Sequence, residues 1–232
     1  MVGERNADME KNIVILRTAL DVDSYLGHDL STVSSGIRRM SEYISGITSL
    51  TNYLKKYPDT PLMFLDNTLS SNEQIPQEII DVLPKNAILR TTGTNEFGRF
   101  NKGAGDIETW TSIRDEISEY KVILHYEGRL RIRSERFLNS FFKSPRSMVC
   151  REIPQLMKIM NKSKSVSTGY FGIDSGALIE FVKNVDPEYM TEQKIAIEHL
   201  FYDYCRLKQF EMWSHSGYCW RSNPNTGKSM RY

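Results

Sequence analysis

Short apolar runs alternate with amphipathic stretches through the first half of the chain. The runs are rich in β-branched residues, which is typical of strands buried on both faces. The stretches between them carry apolar residues at three- and four-residue steps, which indicates helices. The predicted strands are 12–17, 61–65, 87–90 and 120–126, and the predicted helices are 37–54 and 106–118. Strands separated by helices of this length predict βαβ units and an α/β fold with a mostly parallel central sheet flanked by helices.

The second half of the chain has a looser pattern. We predict a strand at 167–173 and helices at 135–142, 154–160, 175–182 and 191–207. No internal repeat and no linker composition divides the chain. We therefore expect a single domain over residues 1–232.

Composition limits the classes of protein that need to be considered. With 232 residues, 40% of them hydrophobic and 25% charged, the chain is long enough and apolar enough for a full core. A net charge of +1 provides no general basic field for nucleic acid. No apolar run approaches the roughly 20 residues that a transmembrane helix needs. Cys150, Cys205 and Cys219 are odd in number and lack CxxC spacing, so we interpret them as reduced thiols of a cytoplasmic protein.

A glycine-rich segment stands directly before a predicted helix. Residues 101–105 read Asn-Lys-Gly-Ala-Gly, and the apolar face of the helix follows from Ile107 and Trp110. We interpret the segment as a turn, in which glycines let the backbone approach a ligand while the helix N-terminus favours anions. The pattern indicates a phosphorylated ligand. An ordinary connection between two elements is the alternative.

Polar residues also follow the predicted strands. In open α/β sheets, ligands bind outside the carboxyl ends of the strands. The candidate ligand-binding residues at these ends and in the glycine segment are Arg17, Thr18, Asp66, Asn67, Asn101, Lys102, Gly103, Tyr126 and Arg129. Glu127 is a candidate metal ligand beside them. The alternatives are a local turn at Asp66-Asn67 and a local ion pair between Glu127 and Arg129.

The order of these motifs resembles that of the family-2-like inverting nucleotide-sugar glycosyltransferases with the GT-A fold. Their second strand ends in D-[DN]-x-S/T, which 66–69 approach, and N-x-G-x-[GA]-x-A-x-N opens a helix, which 101–109 match in part. Their metal-binding D-x-D corresponds to His125-Tyr126-Glu127. The later sequence motifs of the family correspond to residues 168–174 and 185–190. Ile197-Glu198-His199 stands where the family has an acidic dipeptide, and the resemblance covers about residues 12–207.

The resemblance implies a GT-A-like domain with a nucleotide-binding half at about 12–126 and an acceptor-side half at about 127–220. It implies transfer of a sugar from a nucleotide-diphosphate sugar to a hydroxyl of a glycan or glycolipid, as in polysaccharide biosynthesis. Glu198 would be the general base of an inverting displacement. Glu127 and His215 would hold a divalent cation, Mn or Mg. We expect a cytoplasmic enzyme that associates peripherally with a membrane surface.

Two departures from the family pattern keep other functions open. The strand ending at Glu127 lacks D-x-D, and Asp21-Val22-Asp23 has that spacing at the wrong strand. Glu198-His199 keeps the first acid of the dipeptide and loses the second. The alternatives are a non-catalytic sugar-nucleotide or glycan-binding protein and a sugar-nucleotide nucleotidyltransferase. The latter class places G-x-G-x-R after the first strand, and this chain has Arg17-Thr18-Ala19 there.

Overall fold

A computed structural model describes residues 11–21, 33–151 and 165–213 and the backbone of 219–222 and 229–231, with side chains described from residue 39 in the second range. The strands are β1 Asn12–Thr18, β2 Leu62–Asp66, β3 Ile88–Thr91, β4 Val122–Glu127, β5 Arg131–Ile132, β6 Met148–Arg151, β7 Val166–Asp174, β8 Glu211–Trp213, β9 Cys219–Ser222 and β10 Ser229–Arg231. The helices are α1 Val33–Leu54, α2 Gln77–Ile80, α3 Lys102–Ser112, α4 Arg114–Ile117, α5 Arg136–Lys143, α6 Ser175–Lys183, α7 Pro187–Glu192 and α8 Ile197–Leu207.

A seven-stranded sheet forms the centre of the molecule. Its strand order is β3-β2-β1-β4-β7-β6-β8, and β1 pairs in parallel with both β2 and β4. The predicted α/β fold with a helix-flanked central sheet is confirmed. The sheet is mixed, however, because β7 runs antiparallel to both β4 and β6. A second sheet has the order β10-β9-β5 and includes the last two described strands of the chain.

Helices cover both faces of the central sheet, as the uninterrupted apolar strands predict. Side chains alternate across each strand, so Val14 and Leu16 join one core cluster while Ile13 and Ile15 join the other. Apolar residues of α1 and α5 complete the first cluster, and those of α3, α6 and α8 complete the second. Both clusters reach the two middle strands, β1 and β4, whose carboxyl ends are therefore held rigidly.

Two of the predicted helices are broken in the structure, and a third lies outside the described residues. The helix predicted at 106–118 begins earlier, at Lys102, and breaks at Ile113 into α3 and α4. The helix predicted at 191–207 is also broken, because Lys194 adopts a positive φ of 53° between α7 and α8. Residues 154–160 lie outside the described residues. Among the described helices, none combines the length and apolar composition needed to cross a bilayer.

Candidate functional site at the carboxyl ends of the central strands

The strand order reverses direction at β1. The chain continues from β1 to β2 and β3 on one side, and then returns to place β4 on the other side. Such a reversal leaves a crevice outside the carboxyl ends of the two middle strands, where α/β proteins bind ligands. The residues at this edge are Arg17 and Thr18 of β1 and Glu127 of β4. The backbone register pairs Arg17 directly with Glu127.

A buried ion pair lies at this edge. Arg17 Nη2 contacts the Oδ1 atom of Asp106, which belongs to the second turn of α3. Asp106 is 7% exposed, and burial raises the pKa of its carboxyl to about 6. Arg17 opposes this increase, Glu127 and Glu198 add to it, and Lys102 lowers the pKa slightly. Arg17 contacts this buried carboxyl directly, and Lys102, Glu127 and Glu198 lie near enough for their charges to act on it. We call these five residues the Asp106 cluster.

Asp106 is the member of this cluster that the sequence reasoning missed. The sequence pattern predicts it only as the first residue of a helix. Its spacing from Trp110 and Ile113 places it on the buried face of that helix, where a charge is unusual without a partner. An acidic residue on an apolar face was therefore the available signal.

The glycine segment is the start of α3 and not a turn. Asn101 is the N-cap residue, and its Oδ1 accepts hydrogen bonds from the backbone amides of Gly103 at 3.0 Å and Ala104 at 3.4 Å. A Cβ atom on Gly103 would lie 2.6 Å from the Cβ of Ile197, too close for any other residue. The glycine thus allows α3 and α8 to meet at their N-termini, which brings Glu198 to the Asp106 cluster.

Asn101 also joins α3 to the segment between α7 and α8. Its Nδ2 donates to the carbonyl oxygens of Met190 at 3.0 Å and Ile195 at 2.9 Å. Asn101 and Gly103, both predicted to bind the ligand, use these groups for hydrogen bonds within the protein. Their role is to hold the helix start that carries Lys102, which is exposed.

We expect Asn101→Ala to lower the free energy of unfolding by about 2 kcal/mol, because it removes the cap and leaves two carbonyls without a donor. Asn101→Asp retains the acceptor and loses the donor, so its loss should be smaller. Urea denaturation measures both. Asn184→Ala is the control, since exposed Asn184 bonds one carbonyl, that of Glu180. Equal effects of all three changes would contradict the assigned role.

The ends of β1 and β2 are joined by a single carboxylate. Asp66 is fully buried and accepts from the hydroxyls of Thr18 at 2.7 Å and Thr68 at 2.6 Å. It also accepts from the backbone amides of Leu20, Thr68 and Leu69. Thr18 and Asp66, both predicted to contact the ligand, are therefore buried and bonded to each other.

Asn67 has a comparable structural position. It is 1% exposed, and its Nδ2 donates to Asn95 Oδ1 at 3.0 Å. The bond ties the end of β2 to the loop that precedes α3. Asn67 and Asp66 together shape the wall of the crevice rather than its accessible surface.

Arg129 lies on the opposite face, beneath α1. Its side chain is 4% exposed and donates from Nη2 to Glu127 Oε1 at 3.0 Å, with Glu42 Oε2 at 3.8 Å. Its guanidinium carbon stands 5.8 Å from the ring centroid of Tyr43. Burial alone would lower the pKa of Arg129, but the carboxylates of Glu127 and Glu42 raise it above its ordinary value. The local ion pair between Glu127 and Arg129, one of the two interpretations of the sequence, is present in the structure.

Only one residue of the His125-Tyr126-Glu127 segment reaches the crevice. Tyr126, predicted to contact the nucleotide, is fully buried and donates its hydroxyl to the carbonyl of Leu130 at 2.5 Å. His125 is buried between Trp110 and Phe171. Side chains alternate across a strand, and the apolar faces of β4 are fully covered. Glu127, at the strand end, is half-buried.

The predicted metal site is not assembled by the described side chains. His215 lies outside the described residues. Within the described ranges, no group of three histidine, cysteine, aspartate or glutamate side chains is placed to hold a metal ion. Glu127 is already bonded to Arg129.

Comparisons with known proteins give structural likenesses alone. No family model and no curated protein sequence matches this chain. A protein described as a nucleotide-diphospho-sugar transferase from Desulfovibrio desulfuricans G20 is 8% identical, with a TM-score of 0.49, over 88% of this chain and 79% of that one. The 4-diphosphocytidyl-2C-methyl-D-erythritol synthase of Anaerococcus prevotii is 12% identical, with a TM-score of 0.43, over 82% and 84%.

A third structure is core-mannan synthase A from Aspergillus fumigatus in its Mn/GDP form. It is 8% identical, with a TM-score of 0.39, over 86% of this chain and 68% of that one. At these identities and TM-scores, the function of this chain has to be argued from its own site.

Proposed function

We propose that this chain is a glycosyltransferase of the hexosyltransferase type. It transfers a sugar from a nucleotide-diphosphate sugar to a hydroxyl of a glycan or glycolipid, with inversion at the anomeric carbon. The observation that carries the proposal is the Asp106 cluster at the strand-order reversal. It combines two accessible cations, Arg17 and Lys102, with a half-buried carboxylate, Glu198. A diphosphate leaving group needs cations to stabilise its charge, and an acceptor hydroxyl needs a carboxylate to take its proton.

The two cations are suited to the diphosphate for different reasons. Arg17 is 17% exposed and has a planar guanidinium that can bond two phosphate oxygens at once. Lys102 is exposed at the first position of α3, where the helix N-terminus also favours anions. Both would stabilise the charge that develops on the departing diphosphate. Arg129 is left out of this role because two carboxylates and Tyr43 enclose it.

Glu198 is suited to the role of general base. It lies in the first turn of α8, and the contact between Gly103 and Ile197 holds that turn against the start of α3. In a direct displacement the acceptor oxygen attacks the anomeric carbon as the bond to the diphosphate breaks. The carboxylate of Glu198 takes the proton of the acceptor hydroxyl in that step.

The two halves of the domain then have separate tasks. The nucleoside lies along the loops after β1 and β2, whose shape Asp66 and Asn67 maintain. The acceptor approaches from the side of α7 and α8, next to Glu198. A glycolipid acceptor would place the enzyme at a cytoplasmic membrane surface. Cys150 and Cys205 are buried and outside any disulfide, which agrees with a reducing compartment.

A divalent cation, Mn or Mg, is part of the expectation from the family resemblance. The described side chains do not fit a bound cation, since they form no group of three ligands and Glu127 pairs with Arg129. The assay below includes Mn²⁺ as a variable.

The proposal is tested by a donor panel of UDP-, GDP- and TDP-sugars, with and without Mn²⁺. We expect turnover of at least one donor, release of the nucleoside diphosphate and a product with inverted anomeric configuration. Release of pyrophosphate from a nucleoside triphosphate would identify a nucleotidyltransferase instead. Binding of a donor without turnover would identify a non-catalytic binding protein. Either result overturns the proposed transfer.

A further inference from the structure

We propose that Asp106 is a positioning residue that orients the Arg17 guanidinium for the diphosphate of the ligand. This inference rests on the proposed function for the identity of that ligand. Asp106 itself need not touch the substrate. It would act by fixing the direction of Arg17, whose side chain is 17% exposed at the end of β1.

The position of Arg17 makes such support necessary. Arg17 is the second-last residue of β1, and its backbone register places it between Leu65 and Glu127. Its Nε is buried and has no hydrogen-bond partner. Among the described side chains, Asp106 is the one carboxylate that forms an ion pair with Arg17. The direction of the guanidinium therefore depends on that contact.

Without Asp106, a competing acceptor is close at hand. Glu127 is paired with Arg17 in the register of β1 and β4. Both side chains shift the pKa values of Asp106 and His125, in opposite directions. A guanidinium released from Asp106 can turn towards Glu127. It would then have to break a charge-assisted bond before it could bind a phosphate oxygen.

The contact from Asp106 comes from a helix that is fixed in place, so it can set the direction of the Arg17 side chain. Asp106 belongs to α3, whose start is fixed by Asn101 and whose buried face includes Ile107 and Trp110. The side chain of Asp106 is 10% exposed and that of Arg17 is 17% exposed, so the pair is shielded from solvent but not sealed. A rigid helix thus sets the direction of a cation at the strand end.

Positioning and simple electrostatics predict opposite effects of removing the carboxylate. The Asp106 charge repels an anionic ligand, together with Glu127 and Glu198, while Arg17 and Lys102 attract it. If charge alone mattered, Asp106→Asn would bind anions more tightly than the wild type. If orientation of Arg17 matters more, the same change binds them more weakly. The sign of the effect separates the two explanations.

The test measures the affinity of the full chain for inorganic pyrophosphate and for UDP by titration calorimetry at pH 8. We expect Asp106→Asn to weaken both by about tenfold, the loss of one charge-assisted contact. Asp106→Glu should recover part of the affinity. Asp115→Asn is the matched control, because Asp115 lies on the adjacent helix α4 with a side chain that is 92% exposed, and it should bind as the wild type does.

A double-mutant cycle shows whether Asp106 acts through Arg17. Arg17→Ala should weaken pyrophosphate binding, and adding Asp106→Asn to it should cause little further loss. Circular dichroism and thermal unfolding establish that each variant is folded. Additive losses, or affinity that is unchanged or improved in folded Asp106→Asn, would overturn the inference. A wild-type chain that binds neither pyrophosphate nor UDP would also overturn it.

The outcomes for this inference and for the proposed function are distinguishable. Sugar transfer by the wild type with unchanged pyrophosphate affinity in folded Asp106→Asn leaves the function and removes the positioning role. A tenfold loss of pyrophosphate affinity in a chain that turns over no donor sugar supports the positioning role and removes the function.

Discussion

Replacing Glu198 with glutamine should lower kcat for sugar transfer by about a thousandfold, within the range that general bases contribute. Glutamine has nearly the same shape as glutamate and keeps one side-chain oxygen, but it does not accept a proton at neutral pH. The acceptor hydroxyl would then attack without losing its proton to the enzyme. The dissociation constant of the donor should change little, because Arg17 and Lys102 are assigned to the diphosphate.

Initial rates at saturating donor and acceptor measure this effect, and calorimetry with the donor measures affinity separately. Glu192→Gln is the matched control, since Glu192 is an exposed glutamate at the end of α7. It should retain the wild-type kcat. If Glu198→Gln also retained it, the proton would have to leave by another route and the assignment of the base would be wrong.

The strands of the first half were predictable because each contains a short apolar run, although β3 is only partly buried. The structure places β1, β2, β3 and β4 within two residues of their predicted bounds, and α1 ends at Leu54 as expected. Strand direction was less predictable. The apolar run of β7 reads the same in either direction, and its antiparallel pairing with β4 depends on how the chain crosses the sheet. A mostly parallel sheet was therefore expected where a mixed one forms.

The start of α3 shows how tertiary contacts override a local rule. Glycines lower helix propensity, so residues 101–105 indicated a turn. The side chain of Asn101 satisfies two helix amides, and the glycines are required by Ile197 and by Gly98, whose Cα would lie 2.7 Å from a Cβ on Gly105. Ile197 is far from Gly103 in the sequence, whereas Gly98 lies in the loop just before α3. No local pattern records such a constraint.

The candidate site was predictable as an edge of the sheet more than as a set of side chains. The carboxyl-end rule led to Arg17 and Glu127, and the family resemblance led to Glu198. The same rule also selected Asp66 and Tyr126, which the structure shows to be buried and internally bonded. Exposure at a strand end depends on which loop covers it, so the sequence could not separate these groups.

Burial of His125 should make the fold sensitive to acid. The pKa of His125 is lowered from 6.5 to about 3, first by burial and then by the charge of Arg17, while Glu127 opposes the shift. Below pH 6.5 the unfolded chain binds a proton at this residue that the folded chain does not. The stability that depends on a neutral, buried His125 is fully present above pH 7. It is lost as the pH falls from 6.5 towards 3. By pH 4.5 the loss from this residue is roughly 3 kcal/mol.

Urea denaturation of wild type and His125→Leu at pH 7.5 and pH 4.5 measures this contribution. Asp106 acts in the opposite direction, because its pKa is raised from 3.8 to about 6 and the folded chain binds that proton first. The informative quantity is therefore how far the free energy of unfolding falls between pH 7.5 and pH 4.5, compared between wild type and His125→Leu. The variant should lose roughly 3 kcal/mol less than the wild type over this interval.

Phe171→Leu separates titration from packing. Phe171 stacks on His125 with ring centroids 4.8 Å apart, so its replacement disturbs the same part of the core without removing a titratable group. This control should lower stability by similar amounts at both pH values and keep the wild-type pH dependence. Identical pH dependence in wild type and His125→Leu would mean that the folded chain protonates His125 as readily as the unfolded chain does. In that case, water must reach the core between Trp110 and Phe171.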